Sequence, residues 1–151
     1  MSKGYRKGSH TIYDIQYHIV WVTKYRYHVL KGDVSLRARD IIRQTCEARN
    51  ATILNGHVSK DHVHIHVSCP PELSPSKLVQ YVKGRSSRLI QQEFSHLRKR
   101  YWGKHLWARG YFCATIGKVT EKMIAAYIDQ QEKARPKDVF TVADEQPASA
   151  E

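Results

Sequence analysis

The chain predicts an α+β fold in which an antiparallel sheet carries helices on one face. Apolar residues alternate over residues 12–23 and 62–69, the period of a half-buried strand. They recur every three or four residues over 34–50, 75–94 and 120–134, the period of an amphipathic helix. The order of these segments, with a further strand before the second alternating run and another before the last helix, is β-α-β-β-α-β-α. That is the ferredoxin-like split βαβ plan. It leaves the second sheet face open to a ligand or to another copy of the sheet.

Each element has its own local signal. In residues 12–23, Ile15, Tyr17, Ile19 and Trp21 alternate with Gln16, His18, Val20 and Val22, so one face is strongly apolar and the other mixed. Gly32-Asp33 supplies a turn, and Val34, Ala38, Ile41, Ile42, Thr45 and Cys46 then mark a helical stripe. Residues 52–58 predict a second strand, broken at Ser59-Lys60-Asp61. The next strand is stopped by Pro70-Pro71, because proline cannot donate to a strand ladder. Ser74 predicts an N-cap with Pro75 at the first helical position, opening a helix whose stripe is Leu78, Val79, Val82, Leu89 and Ile90. A basic, aromatic connection spans 95–110, a fourth strand 111–116 and a last helix 120–134. The expected organisation is a flexible N-terminus over 1–11, one domain over 12–135 and a flexible acidic tail over 136–151.

At 151 residues the chain can bury one substantial core. Its formal charge of +11 is unevenly placed. From Pro136 onward Lys137 stands against Asp138, Asp144, Glu145 and Glu151, which leaves +14 on residues 1–135. Such an excess predicts a polyanionic partner. No apolar stretch is long enough to span a membrane, so nucleic acid in the cytoplasm is the expectation. Cys46, Cys69 and Cys113 are odd in number and lack C-x-x-C spacing, and they read as reduced core thiols.

The chemistry-bearing motif is Asp61-His62-Val63-His64-Ile65-His66. Residues two apart on a strand share a face, so His62 and His64 stand side by side while Val63, Ile65 and Val67 enter a core. Paired imidazoles suit a metal, and the competing reading is the solvated face of an amphipathic strand. In the last helix, Tyr127 and Gln131 lie one turn apart on one face. Alone, that pair reads as an ordinary half-buried tyrosine.

Together these motifs resemble the single-tyrosine transposases of the insertion sequence 200/605 group, in the His-hydrophobe-His (HUH) nuclease superfamily. The carriers, in order, are Tyr17-His18-Ile19-Val20-Trp21 with Lys24-Tyr25-Arg26, Asp61-His62-Val63-His64, and Lys83-Gly84-Arg85-Ser86-Ser87. Leu106-Trp107 with Arg109-Gly110-Tyr111-Phe112, and Tyr127-Ile128-x-x-Gln131, complete them. The resemblance covers residues 13–135 and implies that Tyr127 is the nucleophile and that His62, His64 and Gln131 bind a divalent ion. His66 departs from it, since the matching family position is usually aliphatic. Two imidazoles and an amide oxygen suit Mn²⁺ or Zn²⁺ by intrinsic preference, whereas the resemblance implies Mg²⁺, with Mn²⁺ able to replace it.

The resemblance also implies cleavage and rejoining of single-stranded DNA through a 5′-phosphotyrosine, with recognition of DNA hairpins near the element ends. It further implies a homodimer in which one subunit's tyrosine helix can complete the other's histidine site. Candidate DNA contacts are Lys83, Arg85 and Arg88 on the second helix and Arg98, Lys99, Arg100 and Lys104 in the connection. Tyr101, Trp102 and Trp107 are interleaved with them, as cation-and-aromatic binding of unpaired strands requires. About half of these cations read equally well as a solvated face, and Trp107 and Tyr111 as packing. Two other functions stay open: a non-catalytic ferredoxin-like nucleic-acid-binding module, which explains the charge and aromatics equally well, and a domesticated HUH endonuclease acting on repeated palindromes, which the resemblance also allows.

Overall fold

A computed structural model describes residues 5–8, 12–115 and 139–143. The expected helix over 120–134, with Tyr127 and Gln131, lies outside the described residues. The strands are β1 (Arg6–Lys7), β2 (Ile12–Tyr13), β3 (Gln16–Val22), β4 (Thr52–Val58), β5 (His62–Ser68), β6 (Phe112–Thr115) and β7 (Phe140–Val142). The helices are α1 (Asp33–Ala48), α2 (Pro75–Glu93) and α3 (Ser95–Arg100).

The main sheet has the order β6-β3-β5-β4-β7. Its first four strands pair antiparallel, and β7 joins β4 in parallel. This is the split βαβ arrangement that the order of periodicities predicts, extended by one edge strand. Ile19 and Trp21 of β3 stand opposite Ile65 and Val63 of β5, and all four are buried. Helices α1 and α2 complete that core with Ile41, Ile42 and Cys46 from one and Leu78, Val82 and Ile90 from the other, all at most 1% exposed. Burying each such aliphatic side chain is worth about 1.5–3 kcal/mol, so this layer dominates the stability. The start of α2 follows the expected chemistry. Ser74 Oγ accepts the Lys77 backbone N–H at 3.1 Å, with Pro75 at the first helical position.

Three features differ from the sequence reading. The first strand is interrupted at Asp14-Ile15, and its outer piece β2 pairs with β1. Arg6 ties this ribbon down by donating to Ser68 O at 2.9 Å and to Asn50 O at 2.7 Å. A short helix, α3, occupies part of the basic connection. The third difference lies in the stretch expected to be a flexible tail, where Phe140, Thr141 and Val142 are 0%, 5% and 3% exposed in β7. Gly56 makes that docking feasible. A Cβ there would sit 2.8 Å from Phe140 Cδ1, so only glycine lets the ring close over β4.

Candidate active site and nucleic-acid surface

Strand register assembles the site. On β5 the apolar set Val63, Ile65 and Val67 faces the helices, which leaves His62, His64 and His66 on the opposite face. Pairing then adds to that face from both sides. His18 of β3 stands opposite His66, and His57 of β4 opposite His64. Five of the nine histidines therefore share one face of the sheet.

His62 is 1% exposed, and its Nδ1 lies 3.0 Å from Asp61 Oδ1. An N–H donated to a carboxylate from Nδ1 leaves the ring's lone pair on Nε2, the form in which imidazole binds metal. Asp61 is itself held, because Arg26 Nε and Nη2 each lie 3.0 Å from its Oδ2. Burial pushes the Asp61 carboxyl up, but the His62 hydrogen bond and Arg26 outweigh it and hold the group below its ordinary value of 3.8. The carboxylate is thus ionised and accepts from both partners.

His64 is pushed down to about 3 by burial and by the neighbouring histidines, so its ring is neutral around pH 7. Its Nε2 lies 3.1 Å from His18 Nδ1, and the two rings stack with centroids 5.3 Å apart. An ion reaches His64 through Nε2 only by displacing His18 from that contact. His66 Nε2 is 2.8 Å from Gln16 Oε1, a bond in which the ring donates. His57 Nδ1 lies 2.6 Å from Thr141 Oγ1 of β7, and burial followed by repulsion from His62 pushes this ring down to about 4.

Neutral rings at His57 and His64 and an oriented tautomer at His62 fit a divalent ion at the His62–His64 pair. Among the described residues no group of three or more His, Cys, Asp or Glu is arranged to hold one. A third donor would come from outside them, where Gln131 lies. His18 and His57 were not apparent as site residues in the sequence. The mixed face of residues 12–23 signals His18, but nothing local tells which strand it will meet.

The candidate DNA contacts divide into groups. Lys83, Arg88, Arg98 and Lys104 line one cavity of about 630 Å³ beside α2. Lys83 has a structural task there, donating to Ala108 O at 2.8 Å and Gly110 O at 2.7 Å, and burial lowers its pKa. Arg100 lines a different cavity, and Arg85 and Lys99 line neither. Trp102 is 84% exposed, whereas Trp107 is buried, with its indole N–H on Ser86 Oγ at 2.8 Å. Trp107 is therefore core, the packing alternative raised from the sequence. No helix among the described residues is long and apolar enough to cross a membrane.

Comparison with known proteins bears on the same residues. A family model described as "Transposase IS200 like" matches residues 11–131. The transposase for insertion sequence element IS200 of Salmonella typhimurium is 37% identical over 123 residues, covering 82% of this chain and 80% of its own. The ISDra2 transposase TnpA of Deinococcus radiodurans is 32% identical over 126 residues, covering 83% of this chain and 90% of its own. Among solved structures, a chain described as a transposase from Deinococcus radiodurans R1 superposes with a TM-score of 0.72 at 32% identity. The match covers 85% of this chain and 99% of that one. A REP-associated tyrosine transposase bound to a REP hairpin shares the fold, with a TM-score of 0.55 at 14% identity over 83% of this chain and 73% of that one.

Proposed function

The chain belongs to the IS200-like transposase family, and from that premise we propose that it cleaves and rejoins single-stranded DNA with Tyr127 as nucleophile. The observation that carries the reading is the His62–His64 pair, side by side on one strand with His62 oriented by Asp61. A ferredoxin-like module that only binds nucleic acid has no need of an oriented imidazole beside a neutral one.

In the proposed reaction the Tyr127 phenol oxygen attacks a backbone phosphorus. The new O–P bond forms as the P–O3′ bond breaks, which leaves a 5′-phosphotyrosine and a free 3′-OH that takes up a proton. One phosphodiester-type bond replaces another, so a second 3′-OH can reverse the step and rejoin the strands without an energy source. His62, His64 and Gln131 would hold the divalent ion, Mg²⁺ or Mn²⁺ in its place, which when bound offsets charge on the phosphate. Asp61 keeps His62 in the required tautomer, and burial keeps His64 neutral. The excess positive charge supports nucleic acid as the substrate, which we assign as DNA hairpins. We assign the assembly as a homodimer in which Tyr127 of one subunit can complete the histidine site of the other.

The deciding experiment incubates wild type and Tyr127→Phe with labelled single-stranded hairpin DNA, with and without Mg²⁺, and resolves the products on a denaturing gel. The expected result is a metal-dependent covalent adduct that the variant lacks. Tight binding by both proteins with no adduct from either would put the non-catalytic module in its place. Mixing Tyr127→Phe with His64→Ala subunits tests the shared site, and verified mixed dimers that stay inactive would refute it.

A further inference from the structure

We propose that the cleft between the Lys24–Arg26 turn and α3 seats the unpaired strand beside the cleaved phosphate, an assignment that rests on the reading above. The cleft has a volume of about 800 Å³. Arg26, Lys31 and Arg100 line it with His28 and His96 beside them, against one lining carboxylate, Asp33, while Arg26 also pairs with Asp61 behind it. Lining of this sign in a chain of net charge +11 selects a polyanion.

An aromatic ladder marks the polyanion as one with bases. Tyr27, in the cleft wall, lies 5.6 Å from Tyr101 and 5.3 Å from Tyr25, centroid to centroid. The Arg100 guanidinium sits over the Tyr27 ring at 4.0 Å. The inner rung, Tyr101, is buried, and the outer rung, Tyr25, is 66% exposed. That exposure is built into the backbone. Tyr25 and Arg26 have φ of 63° and 56°, a left-handed pair that costs free energy at non-glycine residues. Thr23 Oγ1 donating to Tyr27 O at 2.8 Å and Lys24 N donating to Leu106 O at 2.8 Å hold the turn in place.

The strained turn has two consequences. It turns Tyr25 outward, with Lys24 Nζ 5.3 Å from the ring centroid, where the exposed ring can stack an unpaired base and the ammonium can meet its phosphate. It also points Arg26 at Asp61, the carboxylate that orients His62. The cleft is therefore continuous with the histidine site through one residue. Single-stranded DNA leaving that site meets cations for its phosphates and an aromatic step for its bases. Among the residues lining the cleft, Arg100 is the one that the sequence marks as a candidate DNA contact.

The test is fluorescence anisotropy with a labelled DNA hairpin that carries a single-stranded flank, against the same hairpin without one. Tyr25→Ala is expected to weaken binding of the flanked hairpin about fivefold or more, with Tyr25→Phe restoring it, since each stacked base is worth about 1–3 kcal/mol. Lys31→Gln with Arg100→Gln is expected to lower the slope of log affinity against log salt by about 1.4. Lys7→Gln with Lys77→Gln, exposed lysines outside the cleft, is the charge control, and thermal melts confirm that each variant folds. Equal losses on both hairpins, losses matched by the control, or no loss at all would overturn the proposal. So would wild type binding the flankless hairpin as tightly as the flanked one. Anisotropy reads binding alone, so a chain that binds through the cleft but forms no Tyr127 adduct would refute the proposed reaction and leave the cleft standing.

Discussion

Asp61→Asn separates the orientation of His62 from its mere presence. The wild-type carboxylate accepts on both oxygens, from His62 Nδ1 at 3.0 Å and from Arg26 Nε at 3.0 Å. An asparagine amide has one acceptor and one donor end. Facing its oxygen to Arg26 turns its NH₂ toward a ring N–H, and the reverse turns the NH₂ toward a guanidinium. Either one contact becomes repulsive or the ring moves its proton to Nε2 so that Nδ1 accepts, and the metal-binding tautomer of His62 is no longer enforced. Loss of such an outer partner typically lowers metal affinity 10–100-fold, or about 1.4–2.7 kcal/mol. Calorimetric titration of Mn²⁺ into wild type, Asp61→Asn and His62→Ala reads this directly, with the metal-induced rise in melting temperature as a second measure. Wild-type affinity in Asp61→Asn, with binding abolished in His62→Ala, would refute the orienting role. Undiminished binding in both variants would instead refute the metal site.

The docking of β7 predicts a coupled pair of stability effects. Phe140→Ala empties a fully buried site and should cost about 3–5 kcal/mol. Gly56→Ala should cost about 1–3 kcal/mol by overpacking against the Phe140 ring, and much less once that ring is gone. Urea unfolding of the two single variants and the double variant measures the coupling, and strict additivity would contradict the contact. A third prediction concerns pH in the metal-free protein. His57 and His64 ordinarily titrate at 6.5 but are pushed down to about 4 and about 3 when folded. Below pH 6.5 the unfolded chain takes up protons that the folded chain refuses, so their stabilising effect is complete above 6.5 and is lost as pH falls toward 4. His57 alone accounts for a loss on the order of 3 kcal/mol across that window. Equal urea midpoints at pH 7 and pH 5 would count against the burial of these rings.

Much of the molecule is legible in the chain itself wherever the cause is local. The two-residue period of 62–68 assigns Val63, Ile65 and Val67 to the core and the histidines to the other face, because successive strand side chains must alternate. Ser74-Pro75 announces the start of α2, since the cap needs only a hydroxyl near the first free N–H groups. Other features depend on which segments meet. His18 and His57 join the histidine face through register with β5, set by hydrogen bonds between strands (His18 and His64 are 46 residues apart in sequence) and not by anything within either strand. Phe140–Val142 is too short and too polar in its flanks to carry a period, and it becomes a strand because Gly56 leaves room for a ring. Lys83 reads as one more cation for DNA until the fold brings the Ala108 and Gly110 carbonyls to its ammonium. Local periodicity, then, determined the elements and their faces, whereas the neighbours that decide what each side chain can do came only with tertiary pairing.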